Sequence, residues 1–223
     1  MKTLLSWSTG KDSAWALHRL RREGVEVAGL FTTVNSAVDR VAMHAVRRQL
    51  LAAQAAAAGL PLTEIPIPYP CSNADYERIM AAFVDEAVAG GVTHMAFGDL
   101  FLRDIRSYRE ARLAGTGIAP LFPVWGLPTD RLAQDMLAAG LAARITCLDP
   151  AKVPDRFAGA EFADLLAAAL PGVDPCGENG EFHTFCTAGP MFSHPLSVAS
   201  GATVARDGFL FSDLVLAEPG PSR

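Results

Sequence analysis

The chain has 223 residues, half of them apolar, and its 24 acidic residues outweigh 19 basic ones to a net charge of −5. That length suits one large domain, or one with a small appendage, around a sizeable core. The acidic balance argues against a general nucleic-acid binder, which needs a basic face, and no apolar stretch approaches the ~18 residues of a membrane span.

Thr3–Trp7 reads as a buried strand. A helix follows over Ser13–Glu23, with Trp15, Ala16, Leu17 and Leu20 on its apolar side and Gly24 as its stop. Val25–Val34 is predicted as a second strand, and Val38–Ala58 as a long Ala-rich helix stopped by Gly59 and Pro61. Leu62–Ile67 is a third strand. Asn73–Val88 repeats apolar residues at helical spacing, with Asn73 as its cap and Gly90-Gly91 as its end. His94–Phe97 is a fourth strand, running into Gly98-Asp99. Alternation of this kind predicts an α/β fold with a doubly wound parallel sheet. Ligands of such sheets bind at the carboxyl ends of the strands. Three loops lie at such ends: Ser8–Ser13, Thr32–Asn35 and Gly98-Asp99. Together they can converge on one nucleotide.

Beyond Leu102, Arg103, Arg106, Arg109 and Arg112 recur every three residues. On a helix they form one drifting guanidinium face. Such a face is either solvated or a clamp for a phosphate or carboxylate. Its place next to a ligand-binding strand end favours the clamp, with Arg106 and Arg109 foremost and Tyr108 as a stacking surface. The Pro- and aromatic-rich Pro120–Gly126 is the expected boundary between a nucleotide-binding domain, 1–125, and a smaller α+β domain, 126–223. In the second domain Thr129–Ala139 and Ala158–Leu170 read as helices and Leu141–Leu148 as a strand. Val198–Leu216 reads as a hairpin turning at Asp207-Gly208. Cys71, Cys147, Cys176 and Cys186 show no paired spacing and read as reduced thiols of a cytoplasmic protein. The apolar start is broken too early for a signal peptide.

Two motifs concentrate the chemistry. The first is Leu4-Leu5-Ser6-Trp7-Ser8-Thr9-Gly10-Lys11-Asp12-Ser13. A strand feeding a helix through a short Ser/Thr/Gly loop cradles phosphate with backbone N–H groups. Lys11 adds a point charge in a chain that holds only three lysines. The Walker pattern is not met, because Asp12 separates Lys11 from Ser13 and Leu5 stands where the first glycine belongs. Asp12 is either a helix cap or a Mg²⁺ ligand that reaches the phosphates through the metal. The second motif is Asp174-Pro175-Cys176-Gly177-Glu178-Asn179-Gly180-Glu181-Phe182-His183-Thr184-Phe185. It reads as a zinc site on Cys176, His183 and Cys186, as a catalytic loop using Glu178 and Glu181, or as a structural turn at Asn179-Gly180. The zinc reading fits no common spacing, and the residues alone do not separate the other two.

Ser8–Ser13 resembles the S-G-G-x-D-S loop of PP-loop, or N-type, ATP pyrophosphatases, with Thr9 in place of the second glycine. Gly177–Phe185 resembles the G-E-x-G-E-[YF]-x-T-F signature of diphthine–ammonia ligases and their bacterial relatives. Gly98-Asp99 with the Arg/Tyr helix, Pro120–Trp125 and Gly189-Pro190-Met191-Phe192 are similar to further segments of that family. The resemblance implies a Rossmann-like, adenine nucleotide alpha hydrolase-like fold and an ATP-dependent, AMP-forming amidation. By the same resemblance, ATP with Mg²⁺ binds through Ser8, Thr9, Gly10, Lys11, Asp12, Ser13, Thr32, Thr33, Gly98 and Asp99. Asp12 would hold the metal. Lys11, Glu178 and Glu181 would act in catalysis, and replacing Lys11 would cost turnover while sparing the fold. Arg106, Tyr108, Arg109, Asn179 and His183 would bind the acceptor carboxylate. The implied partners are ATP, ammonia and a carboxylate, with a homodimer as a candidate assembly and no membrane or nucleic acid. The rival readings are a PP-loop tRNA modifier and a protein that binds ATP or AMP without chemistry.

Overall fold

The apolar strand runs are short and the helices between them long enough to cross back over a sheet, so the strands pair in parallel. The computed structural model describes residues 1–35, 40–41 and 46–217. Five parallel strands, β1 (Thr3–Ser6), β2 (Val27–Asn35), β4 (Leu62–Ile67), β5 (His94–Ala96) and β6 (Ala119–Leu121), stand in the order β4-β2-β1-β5-β6. Helices α1 (Lys11–Arg22), α2 (Arg48–Ala58), α3 (Asn73–Ala89) and α4 (Arg103–Leu113) connect them. Sequence order reverses between β1 and β5, where Leu5 lies beside Ala96. Such a reversal opens a crevice at the strand ends.

A two-residue strand, β3 (Arg40–Val41), pairs antiparallel with the tail of β2, Val34 opposite Val41. The helix expected over Val38–Ala58 is therefore shorter: it starts at Arg48, and Val38 lies outside the described residues. The segment expected as a connector at Pro120–Gly126 begins instead as part of β6, paired with β5. Ser72, not Asn73, caps α3, its hydroxyl accepting from the Asp75 N–H.

The rest of the chain builds an antiparallel sheet ordered β8-β7-β10-β9, from β7 (Ala142–Leu148), β8 (Phe182–Ala188), β9 (Val198–Arg206) and β10 (Phe209–Leu216). Two helices, α5 (Thr129–Ala138) and α6 (Phe162–Ala167), precede and follow β7 in sequence. Here α6 is shorter than expected because Gly159, at φ 77°, turns the chain before it. The β9–β10 turn has Asp207 and Gly208 both at positive φ, 52° and 82°, as a type I′ turn requires. Strand β8 falls on residues that read as loop.

Period-two alternation sends Leu5, Leu30 and Ala96 to one face of the parallel sheet, and Phe31 and Met95 to the other. The second face packs against Phe83 and Val84 of α3. The first face continues without a break into the other half of the chain, joining Trp7, Leu17 and Leu50 to Ile145, Phe162, Phe182 and Phe185. No described helix is long and apolar enough to cross a membrane. Because one core serves both sheets, the full chain is expected to melt in a single thermal transition. A fragment ending at residue 125 is expected to bind a hydrophobic dye and show no cooperative melt. Two resolved transitions in the full chain would contradict the shared core.

Candidate active site

The phosphate loop leaves β1 at Ser6 and enters α1 at Lys11, two residues earlier than the sequence pattern places the helix. Gly10 is the N-cap and no side chain caps the helix. Asp12 is thus not the cap; it sits in the first turn, at the positive end of the helix dipole. The loop hydroxyls are tied to each other: Ser8 Oγ lies 3.1 Å from Ser13 Oγ, and Ser13 Oγ donates to the Gly10 carbonyl at 3.0 Å. Thr9 adopts φ 71°. That region costs a β-branched residue on the order of 1–3 kcal/mol and persists only where its surroundings enforce it. The enforcement is visible: the Thr9 carbonyl accepts from Gln54 Nε2 at 3.0 Å and from the Cys186 N–H at 2.9 Å.

Lys11 is buried, at 1% exposure. Its Nζ donates to Asp12 Oδ2 at 2.9 Å and to the Cys176 carbonyl, and stands over the rings of Phe162 and Phe182. Its own N–H donates to Thr184 Oγ1 at 3.1 Å. Burial, the largest single influence, lowers its pKa, but the Asp12 charge and hydrogen bond together with the neighbouring Cys176 and Glu178 hold it above the ordinary value. Burial pushes Asp12 up, against the pull of Lys11. The expectation that Lys11 can be replaced without loss of fold does not suit this geometry: its removal leaves Asp12 and the Cys176 carbonyl without their cation. Asp12 Oδ1 is buried with no hydrogen-bond partner. That free oxygen fits a Mg²⁺ ligand whose remaining ligands are phosphate and water. Among the described residues no three His, Cys, Asp or Glu side chains are grouped to hold a metal by themselves.

The second motif closes over this loop. Asp174 is its hub, a residue the sequence reading left out of the site. Its Oδ2 accepts from the N–H groups of Cys176 and Glu178 at 3.1 and 3.0 Å, and its Oδ1 accepts from Thr129 Oγ1 of α5. Glu181, 2% exposed, accepts from the Asp174 N–H at 3.0 Å and from Asn179 Nδ2 at 3.3 Å through Oε1. It lies beneath the loop rather than on its rim. Glu178 reaches across to the first sheet, its Oε1 accepting from the Leu100 N–H at 3.0 Å. Burial raises its pKa to about 7; the Leu100 bond opposes this, and the Asp12 charge adds to it. Asn179 is exposed and its carbonyl accepts from Lys152 Nζ. His183 lies on β8, where burial and then the Lys11 charge lower its pKa. Burial pushes the Cys176 thiol up to about 12, so it is no nucleophile.

A cavity of about 410 Å³ opens beside the loop, at the carboxyl ends of β1, β2 and β5. Ser8, Thr32 and Thr33 line it, with Phe31, Phe97 and Tyr108 among the aromatic walls. Arg109 also lines it, bound to Asp99 at 2.7 Å and stacked over Phe97 with its guanidinium 4.4 Å from the ring centre. Arg106 is turned aside, bonded to Glu110 at 2.8 Å and stacked on Phe122 and Trp125. The two arginines therefore do not form one clamp. Gly98 touches the first turn of α1: a Cβ there would lie 3.0 Å from the Asp12 carbonyl carbon and the Ser13 nitrogen. Thus Gly98 lies against Asp12, and Glu178 comes within electrostatic reach of Asp12, Lys11 and Asp99, while Ser8 lines the cavity beside them.

Residues 1–111 match the family model of the diphthamide synthase N-terminal domain. Four of the five parallel strands, β1, β2, β4 and β5, lie within the matched residues, and the matching family is of the ATP-using PP-loop type. The match ends inside α4, so it includes the phosphate loop and most of the cavity wall but not the Glu178 loop. No curated protein matches the chain.

Because backbone rather than a flexible side chain opposes Gly98, substitution at this glycine must move the loop. Gly98→Ala is expected to weaken ATP binding at least tenfold while lowering the melting temperature by only a few degrees. Isothermal titration beside a thermal melt checks this.

Proposed function

We propose that the protein is an ATP-dependent carboxylate–ammonia ligase of the diphthine–ammonia ligase kind. It would adenylate an acceptor carboxylate, release pyrophosphate and form an amide. The observation that carries this reading is the placement of Glu178, titrating near neutral pH, against a phosphate loop that has a carboxylate of its own. A loop meant only to hold phosphate gains nothing from Asp12 or from a second acid facing it.

The adenosine would occupy the cavity at Thr32, Thr33 and Tyr108, with its phosphates toward Ser8–Ser13 and the start of α1. The helix terminus and loop N–H groups offer fixed dipoles to the charge that grows on the leaving pyrophosphate. Lys11 adds its field from beneath, and its contacts hold Asp12 in place. Asp12 Oδ1 would hold Mg²⁺, which when bound neutralises phosphate oxygens and steadies the departing group. The acceptor carboxylate oxygen attacks the α-phosphorus and the α–β bond breaks. Ammonia then attacks the acyl carbon, AMP leaves, and the nitrogen gives up a proton. Glu178 would accept that proton, because a base with a pKa near the working pH transfers it best. Arg109, already paired with Asp99 at the cavity wall, would orient the acceptor carboxylate. Glu181 and Asp174 keep the Glu178 loop in shape.

The reading is tested with ATP labelled at the α-phosphate, Mg²⁺ and ammonium, assayed across fractions of a metabolite extract. Ammonium-dependent formation of AMP and pyrophosphate is expected. ADP and phosphate, or no turnover with any fraction, would contradict it.

Glu178 also ties activity to stability. Its native pKa lies above the unfolded value, so the folded state binds the extra proton. Its contribution is fully present below about pH 4.5 and is lost as pH rises through about 7. Glu178→Gln is therefore expected to raise the melting temperature at pH 8 but not at pH 4. It is also expected to lower turnover by about 10²-fold or more and to abolish the rise of activity across pH 7. A paired melt and pH–rate profile reads both effects.

A further inference from the structure

We infer that Gln54 is a positioning residue for the phosphate loop, enforcing through its carboxamide the left-handed turn at Thr9 that a glycine would adopt unaided. The inference rests on the reading of Ser8–Ser13 as the phosphate site. Gln54 lies on the buried side of α2, among Leu50, Leu51, Ala55 and Ala58, and is wholly inaccessible. An amide in that setting is costly unless every polar atom is paired, and a leucine would pack there without that demand.

Each polar group of Gln54 is engaged, and its partners settle which way the amide faces. The Trp7 indole can only donate, so Oε1 faces it, accepting from Nε1 at 2.9 Å. The NH₂ group then meets two carbonyls, Thr9 at 3.0 Å and Cys186 at 2.6 Å. One side chain thus joins the end of β1, the turn of the loop and strand β8. Thr9 is the residue in need of this support. It is β-branched, buried and at φ 71°, and its own hydroxyl has no partner. The turn comes immediately before Gly10, the N-cap of α1, whose N–H donates to Ser8 Oγ, and Lys11, whose N–H donates to Thr184 Oγ1. If Thr9 relaxes to negative φ, the peptide planes that follow are re-aimed. The energy that keeps it from relaxing comes from the two bonds to its carbonyl. Glycine carries no steric penalty at such a φ, so a glycine at position 9 would make the Gln54 bond dispensable for ligand binding though not for packing.

That difference supplies the test. Gln54→Glu keeps the length of the side chain and an acceptor for Trp7, but removes both donors. ATP affinity is measured by calorimetric titration, beside the melting temperature, for the wild type, Gln54→Glu, Thr9→Gly and the double variant. Gln54→Glu is expected to weaken ATP binding at least tenfold, the scale of a lost hydrogen bond. Adding Thr9→Gly is expected to bring the affinity back to within about threefold of the wild type, while the melting temperature stays low in both. Wild-type affinity in Gln54→Glu, or a loss that Thr9→Gly does not relieve, would overturn the inference and leave the phosphate site standing. Failure of the wild type itself to bind ATP would instead overturn the phosphate site. Where Gln54→Glu does not fold, Gln54→Met takes its place. Where neither folds, Gln54→Asn, which keeps an amide but shortens its reach, is titrated with and without Thr9→Gly, and the same outcomes decide.

Discussion

The carbonyl of Thr9 is held from two directions, by the buried amide of Gln54 on α2 and by the backbone of Cys186 on β8. Much of the molecule follows from that joint. It obliges the second sheet to lie against the first at the phosphate loop, because β8 supplies both the Cys186 N–H and the Thr184 hydroxyl that binds the Lys11 N–H. It also explains why a single core runs through both halves, with Trp7 and Phe185 in one cluster. A conformation that is unfavourable locally persists because the tertiary structure determines it several times over.

Electrostatics makes the second half necessary in another way. A buried lysine keeps its charge only beside an anion and a well-placed acceptor. Asp12 is the anion, from the next residue; the acceptor, the Cys176 carbonyl, comes from a loop 165 residues away. The same loop carries Glu178 to the Leu100 N–H. The groups that make the loop basic and those that bring an acid to it are thus one arrangement. Burial that would suit Glu178 to the proposed base role costs stability near neutral pH, the usual tension between an active carboxyl and a stable fold.

The parallel order of the first half was legible because its strands and helices each carry their own period. Leu62–Ile67 reads the same in sequence and structure, and the Asp207-Gly208 turn needs only two residues to declare itself. What was not legible depended on partners far away. Arg40 and Val41 look helical beside an alanine run, and become a strand because Val34 lies across from them. Strand β8 shows no clean period-two alternation, and the Gly and Glu residues just before it read as a loop. At the site, the chemistry-bearing types Asp12 and Glu178 stood out, whereas their supports did not. Gln54 reads as one polar residue among alanines, and Asp174 as a turn former before proline. The Arg face shows the opposite case: its spacing suggested a clamp, but Asp99 claims Arg109 and the aromatic pair claims Arg106.

The account stands on one placement, that of the α–β linkage of ATP against Ser8–Ser13 with Glu178 across from it. A crystal structure with Mg²⁺ and an ATP analogue whose α–β bridging oxygen is replaced by methylene shows that placement directly. The account predicts the base in the cavity at Phe31, Thr32 and Tyr108, the triphosphate along the loop and the first turn of α1, and the metal on Asp12. Phosphates bound away from the loop, or a metal bridging the γ-phosphate to other side chains, would contradict it.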